Sequence, residues 1–446
     1  MTTRDRASGT SAPSADIRER ARRYFLPGAG HYYDEPLVVA RGEGSRLWDA
    51  DGREYLDFFG GILVTSVGHA HPEVAEAVAA QARTLVHVSA LYATEPAVDL
   101  AETLARLAPG DLRRTFFTNS GSEAVDTAVL LAKAATGRQE VVALRHGYSG
   151  RSALGQALTG QAGWRGVPTQ VPGVAFGHAP YCYRCDFGLT YPSCELRCAK
   201  DLESVLQTSG SGQPAAFVAE PVQGTGGFVT PPREYFQVAV GIVRRYGGLF
   251  VDDEVQSGFG RTGRWFAIEH YGVEPDLMAM AKGIAGGMPL AATMATEAVA
   301  SAVKGAGFST FGGNPVCAAA SLATIRVLER EDGPGRAERL GRRLRQGLEA
   351  LKARHPVIGD VRGLGLMQGL ELIDPESGAA RAPAAALLTR VMDEARRRGL
   401  LVGRAGLYRN VLRIGPSLLV SESEVDEALR LLDEAFTAAT AAAGPM

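Results

Sequence analysis

The chain has 446 residues, 46% apolar and 22% charged, with a formal net charge of −2. That length allows a large core with smaller lobes, and the near-neutral balance gives no general pull toward nucleic acid or an anionic membrane. No apolar run approaches the ~20 residues a spanning helix needs, and five cysteines are few for a disulfide scaffold, which favours a reducing compartment.

The first residues, Met1 to Asp16, are rich in Ser, Thr, Ala and Arg and lack an apolar signal core. They read as the frayed leader of a cytoplasmic protein, with disorder expected over 1–25. A small-lobe segment is expected over 26–70. It contains Arg46-Leu-Trp48, the turn Asp51-Gly52 and Arg53-Glu-Tyr-Leu56, and Asp-Gly between apolar runs is a hairpin signal. From Pro72 the apolar spacing of Val74, Ala77, Val78 and Ala82 is helical.

Short apolar strands then alternate with helices: Thr115 to Thr118, Val141 to Leu144, Ala216 to Ala219, Leu249 to Val251 and Leu277 to Ala281. This alternation predicts an α/β domain with a largely parallel sheet over 71–330, with a Cys-rich insertion over 180–200. Helices over Arg336 to Lys352 and Ala384 to Arg398 bracket short strands, so 331–446 reads as a C-terminal α+β lobe. The small-residue tail Ala438 to Met446 is expected to fray.

Ligands of open α/β sheets sit beyond the carboxyl ends of the strands, and the unusual polar residues fall there. Asn119-Ser-Gly-Ser-Glu123 is a tight turn opening a helix. Free N–H groups and the helix dipole at such a start attract phosphate; the alternative is that Ser122 only caps the helix. Of the 47 basic residues only Lys133, Lys200, Lys282, Lys304 and Lys352 are lysines. Lys282 alone follows an apolar strand, where desolvation lowers an amine's pKa and raises the share of free amine. Asp252-Asp253-Glu254 places three acids at one strand end, which demands a positive partner. A protonated pyridine nitrogen meets that demand, and so does a divalent metal, although no His lies in the cluster and no phosphate-loop Gly-Lys-Ser/Thr pattern is found.

Together these residues resemble the class III aminotransferases, a subgroup of fold-type I pyridoxal-phosphate enzymes. The most specific stretch is Val251-Asp-Asp-Glu-Val-Gln-Ser-Gly-Phe-Gly-Arg-Thr-Gly263, followed by Pro275-Asp276 and Lys282-Gly283. The resemblance implies a large, mostly parallel-sheet domain and a smaller α+β lobe built from both termini. It also implies pyridoxal 5′-phosphate held as a Schiff base on Lys282, which then shuttles the proton between substrate and cofactor. Gly121 and Ser122 match the phosphate cradle, Tyr148 the aromatic stacked on the ring, and Glu220 the buried active-site glutamate. Asp253 matches the partner of the ring nitrogen and Gln256 the donor to the phenolic oxygen. Thr310 matches the threonine reaching the phosphate of a neighbouring subunit, so a homodimer with shared active sites is implied. Arg413 matches the arginine that grips a substrate carboxylate.

Departures from the pattern narrow the expected activity. Ser149 stands where the family often has His. Thr225 stands where enzymes for ornithine and 4-aminobutyrate carry a gating glutamate, and Ile62 where dialkylglycine decarboxylases carry Gln. Tyr183-Arg-Cys-Asp-Phe-Gly188 is similar to a loop of type 2 alanine–glyoxylate aminotransferases. The expected reaction is transfer of an amino group from alanine or a β/ω-amino acid to pyruvate, glyoxylate or 2-oxoglutarate. An epimerase on the same scaffold, or a cofactor-binding protein without turnover, is the alternative. Cys182-x2-Cys185-x8-Cys194-x3-Cys198 resembles paired zinc-ligand spacing, with free thiols as the other reading and no catalytic role in either. Cys317 is expected to be a buried helix residue.

Overall fold

A computed structural model describes residues 14–27, 31–166, 171–304 and 307–441. Its centre is a seven-stranded sheet in the order Leu112–Thr118, Ala291–Thr296, Leu277–Met280, Leu249–Asp253, Pro214–Ala219, Glu140–Leu144, Val174–Gly177. Only Ala291–Thr296 runs against its neighbours; the remaining strands are parallel, so their carboxyl ends share one edge.

Side chains alternate across this sheet. Val141, Ala143, Val218, Val251 and Ala279 pack under the helix Gly121–Thr136. Val142, Leu144, Phe217, Phe250 and Met278 face the opposite layer, which includes the helix Tyr235–Arg245. Helices on both faces explain why these strands read as continuous apolar runs.

The hairpin Arg46–Asp49 and Glu54–Asp57 forms as expected. Its second strand pairs in parallel with Leu400–Leu401, Leu400 facing Leu56, so chain from both ends builds the smaller lobe. Four strands, Ile358–Leu364, Met367–Leu372, Val411–Ile414 and Gly403–Ala405, complete it as a second sheet, backed by the helices Gly333–Arg354 and Ala385–Arg397, on which the helix Glu422–Ala441 packs.

Both ends depart from the expectation of fraying. Ser14–Tyr24 is helical, tethered by Arg18 Nε donating to the Pro36 carbonyl at 3.0 Å and by a 3.5 Å ion pair from Arg18 to Glu35. Residues 1–13 lie outside the described residues. The helix Glu422–Ala441 covers the start of the expected tail because Phe436 and Ala439 are buried; residues 442–446 lie outside the described residues. Among the described residues no helix is long and apolar enough to cross a membrane.

Candidate active site

Loops leaving the carboxyl ends of the parallel strands meet around a cavity of about 340 Å³, within the size range of small-ligand sites. Gly121, Ser122, Tyr148, Glu220, Asp253, Gln256 and Lys282 all line it. Arg413 and Thr310 stand outside that lining.

The phosphate-cradle geometry lies at the start of the helix Gly121–Thr136. Ser120, not Ser122, caps it by accepting the Glu123 N–H at 3.3 Å. The Ser122 hydroxyl instead accepts the Arg151 N–H at 2.9 Å, tying in the next loop. The N–H groups of Gly121 and Ser122 meet no acceptor among the described residues, which leaves two donors and the helix dipole aimed at the cavity. A side chain at 121 would place Cβ 2.8 Å from Val255 Cγ1, so glycine lets this helix start approach the neighbouring strand end.

Lys282 follows the strand Leu277–Met280 with φ +45°, a left-handed conformation that costs a side-chain-bearing residue energy and recurs at functional sites. Its side chain is enclosed by protein and accessible only in part. Burial pushes the amine down to about 8, opposed by the charges of Asp253 and Glu220 and reinforced by Arg413. Burial holds Asp253 above the usual carboxylate range, while its Val255 N–H bond and Lys282 pull it down. Glu220 is raised by burial and by Asp253. It also works as a clamp, accepting the Tyr148 N–H at 2.9 Å and the Gly224 N–H at 2.8 Å.

The three consecutive acids do not form one cluster. Strand alternation turns Asp253 to the cavity and Asp252 and Glu254 to the opposite face. Glu254 accepts the Ser257 hydroxyl at 2.5 Å and the Ile268 N–H at 2.8 Å, and among the described residues both Asp252 oxygens lack a partner. A metal bridging all three is thereby ruled out on geometry.

Arg413 is only 2% exposed and reaches the cavity through Gln256, donating from Nη1 to Oε1 at 3.4 Å. Its Nη2 donates to the Tyr32 hydroxyl at 3.2 Å, and the guanidinium lies 5.0 Å from the Phe59 ring centre. Its Nε has no partner, and no carboxylate pairs with it among the described residues. Thr225, buried, accepts weakly from Gln256 Nε2 at 3.5 Å. Thr310 is exposed between Phe308 and Phe311, themselves 63% and 60% exposed. The adjacent Ser309 hydroxyl accepts from Asn119 Nδ2 at 3.3 Å, which anchors the loop to the cavity rim.

Sequence reasoning did not single out Arg151 or Tyr32. Arg151 lines the cavity and makes no ion pair among the described residues; its place beside Tyr148 in the motif was the available signal. Tyr32 lies far off in sequence and carries no local pattern that announces a contact with Arg413. The cysteine insertion forms a short turn at Cys182–Arg184 and a helix at Arg197–Lys200. Cys182 lies in the turn and Cys198 in the helix, with Cys185 and Cys194 in the chain between them, all as free cysteines; among the described residues no group of three or more His, Cys, Asp or Glu side chains is placed to hold a metal ion. Cys317 is buried in the helix Pro315–Arg330.

A family model for class-III aminotransferases matches residues 29–436. The chain belongs to the class-III aminotransferases. It is 40% identical over 425 residues to a mitochondrial alanine–glyoxylate aminotransferase 2 homolog of Arabidopsis thaliana, covering 95% of this chain and 88% of that protein. It is 38% identical to a 5-aminovalerate aminotransferase of Pseudomonas aeruginosa, covering 96% and 99%. Among solved structures, a PLP-bound amine transaminase from an uncultivated Pseudomonas species superposes with a TM-score of 0.87 at 33% identity, covering 93% and 98%.

The protein is thus a pyridoxal-phosphate-dependent aminotransferase of fold type I. Its cavity fits that cofactor: orphan N–H donors for a phosphate, a buried carboxylate for a ring nitrogen, and an amine with a lowered pKa for an aldehyde all open onto one space.

Proposed function

We propose that this class-III aminotransferase moves the amino group of alanine or a β/ω-amino acid to a small 2-oxo acid, with Lys282 as the covalent anchor and proton carrier. The observation that carries the assignment is the buried Lys282 amine, held near neutrality in pKa and sharing a cavity with Asp253. The cofactor, when bound, supplies an electron sink for the carbanion formed at the substrate's α-carbon.

Lys282 Nζ, once released by the incoming donor amine, takes the proton from the α-carbon and returns one as general acid. An amine titrating near 8 is partly free at neutral pH, as a general base must be. Asp253 would pair as a carboxylate with the cofactor's ring nitrogen, whose positive charge would favour the ionised form. Gly121 and Ser122 would hold the phosphate through their N–H groups, and Tyr148, which lines the same cavity, would stack on the ring. Glu220 fixes the Tyr148 and Gly224 backbones, and Gln256 Nε2 would donate to the phenolic oxygen.

Arg413 takes the substrate carboxylate, which supplies the acid its buried guanidinium lacks. With Thr225 in place of a gating glutamate, nothing on that loop masks Arg413 when the donor has no nearby carboxylate. Alanine is therefore favoured over 4-aminobutyrate, in keeping with the similarity to the Arabidopsis alanine–glyoxylate aminotransferase 2 homolog.

A homodimer completes the site. Phe308 and Phe311, both more than half exposed, flank Thr310 on a surface that a second subunit would cover, bringing Thr310 to the partner's phosphate. Five free thiols are in keeping with a reducing, cytoplasmic setting.

A screen of amino donors against pyruvate, glyoxylate and 2-oxoglutarate tests the substrate reading. Fastest turnover is expected with alanine as donor. Preference for a plain amine lacking a carboxylate would overturn the role given to Arg413 and leave the cofactor assignment standing.

A further inference from the structure

A second cavity, about 770 Å³, lies between the Cys-rich insertion and the C-terminal lobe, away from the cofactor cavity and sharing no lining residue with it. Its wall carries three guanidiniums, Arg184, Arg362 and Arg381, against one carboxylate, Asp360.

These arginines are not equally satisfied. Arg362 is saturated: Nη1 pairs with Asp360 at 2.8 Å and Glu371 at 2.7 Å, and Nε donates to the Gly227 carbonyl at 2.7 Å. Arg184 shares the same Glu371 through Nε, and its Nη2 donates to the Arg381 carbonyl at 2.7 Å. Arg381 makes no ion pair among the described residues, and only Nη1 is engaged, with the Tyr183 carbonyl at 2.7 Å. Both Arg184 and Arg381 stand over the Tyr183 ring, 5.6 Å and 4.6 Å from its centre. Two like charges are thus gathered at one ring, Arg184 from the insertion and Arg381 from the C-terminal lobe.

The balance of charge favours an anion. Three cations face Asp360 and the Glu371 carboxylate behind it, an excess of one positive charge. The cavity's Cys182 thiol adds no negative charge, since burial and the neighbouring Cys194 and Cys185 hold its pKa up. The Arg381 backbone adopts φ +47°, a left-handed conformation that holds its side chain over Tyr183 at some cost. Unused guanidinium N–H groups at Arg184 and Arg381 present planar forks, a geometry suited to a carboxylate.

We propose that this cavity is a second anion site, binding a small carboxylate between Arg184 and Arg381 and so clamping the insertion to the C-terminal lobe. Titration calorimetry on the holoenzyme with malonate, which has neither an amino nor a 2-oxo group, tests this against sodium chloride at equal ionic strength.

Saturable malonate binding is expected, weakened at least tenfold in Arg381→Gln and retained in Arg413→Ala, with the KM for alanine unchanged in Arg381→Gln. Because Arg381 is exposed, that variant should fold, which an unchanged thermal midpoint without malonate would verify. No saturable heat, equal binding by Arg381→Gln, or loss of binding in Arg413→Ala would each overturn the site. Saturation by inorganic phosphate and not by malonate would overturn the carboxylate assignment.

Discussion

Arg413 Nη1 donates to Gln256 Oε1 at 3.4 Å, so a buried cation is joined to the rim of the cofactor cavity by a neutral amide. An amide compensates a guanidinium poorly, and a carboxylate arriving beside it gains a charge-assisted, bidentate partner. Arg413→Ala should lower kcat/KM for alanine and for pyruvate together by roughly 100-fold or more, about 3 kcal/mol. An amine donor without a carboxylate should lose far less. Steady-state kinetics with both donor types checks this, and an equal loss for both would show that Arg413 acts only through packing.

Thr225 lies next to that same amide, 3.5 Å from Gln256 Nε2. Thr225→Glu places a carboxylate where it can pair with Arg413 when no substrate carboxylate is close. The ratio of half-reaction rates should then shift toward 4-aminobutyrate and away from alanine, by about tenfold for each ~1.4 kcal/mol of pairing gained. An unchanged ratio would place residue 225 outside the selection.

Asp252 has both carboxylate oxygens buried without a partner among the described residues, and burial, Glu254 and Asp253 raise its pKa well above the ordinary value. The folded protein therefore keeps a proton that the unfolded chain releases near pH 4. From there upward the folded state binds more protons than the unfolded one, so this group's contribution to stability falls as pH rises toward the folded pKa. Asp252→Val, which suits a buried strand, should raise stability by about 1–3 kcal/mol at neutral pH and flatten part of the decline. Thermal midpoints from pH 5 to 9 would test it. A lower midpoint for the variant at neutral pH would mean Asp252 has a partner that matters.

Lys282 is pushed down to about 8 by burial, and only the free amine attacks an aldehyde. Uptake of pyridoxal phosphate by the cofactor-free enzyme should accelerate with pH and level off above about 8. A lysine with an ordinary pKa would keep gaining rate beyond pH 10. Stopped-flow absorbance at a series of pH values separates the two.

Much of this site was legible because its chemistry sits at strand ends, where period-2 alternation and abrupt polarity mark the positions. Lys282, the acids 252–254 and the Asn119–Glu123 turn were found that way, while Glu220 and the choice of Asp253 came from the family resemblance; Lys282, Asp253, Glu220 and the start of that turn line one cavity. Two local readings failed for geometric reasons. A capping Ser122 was the alternative to phosphate binding, but the helix begins two residues earlier than such a cap requires and Ser120 takes that role. The acids 252–254 looked like a unit, but pleating sends neighbours to opposite faces. The antiparallel strand Ala291–Thr296 was not picked out, since its small residues lack a strong β signature. The helix Ser14–Tyr24 was missed because only Ser14 of it is buried, so no apolar stripe announces it. Tyr32 owes its role to a contact with Arg413, 381 positions away, which no local pattern encodes.

On the proposed function Lys282 alone carries the cofactor. Borohydride reduction of the holoenzyme, followed by peptide mapping, reads this directly. The pyridoxyl label is expected on the peptide containing Lys282, and Lys282→Ala should fold yet take no label. Label on Lys133, Lys200, Lys304 or Lys352 in the wild-type protein would contradict the account.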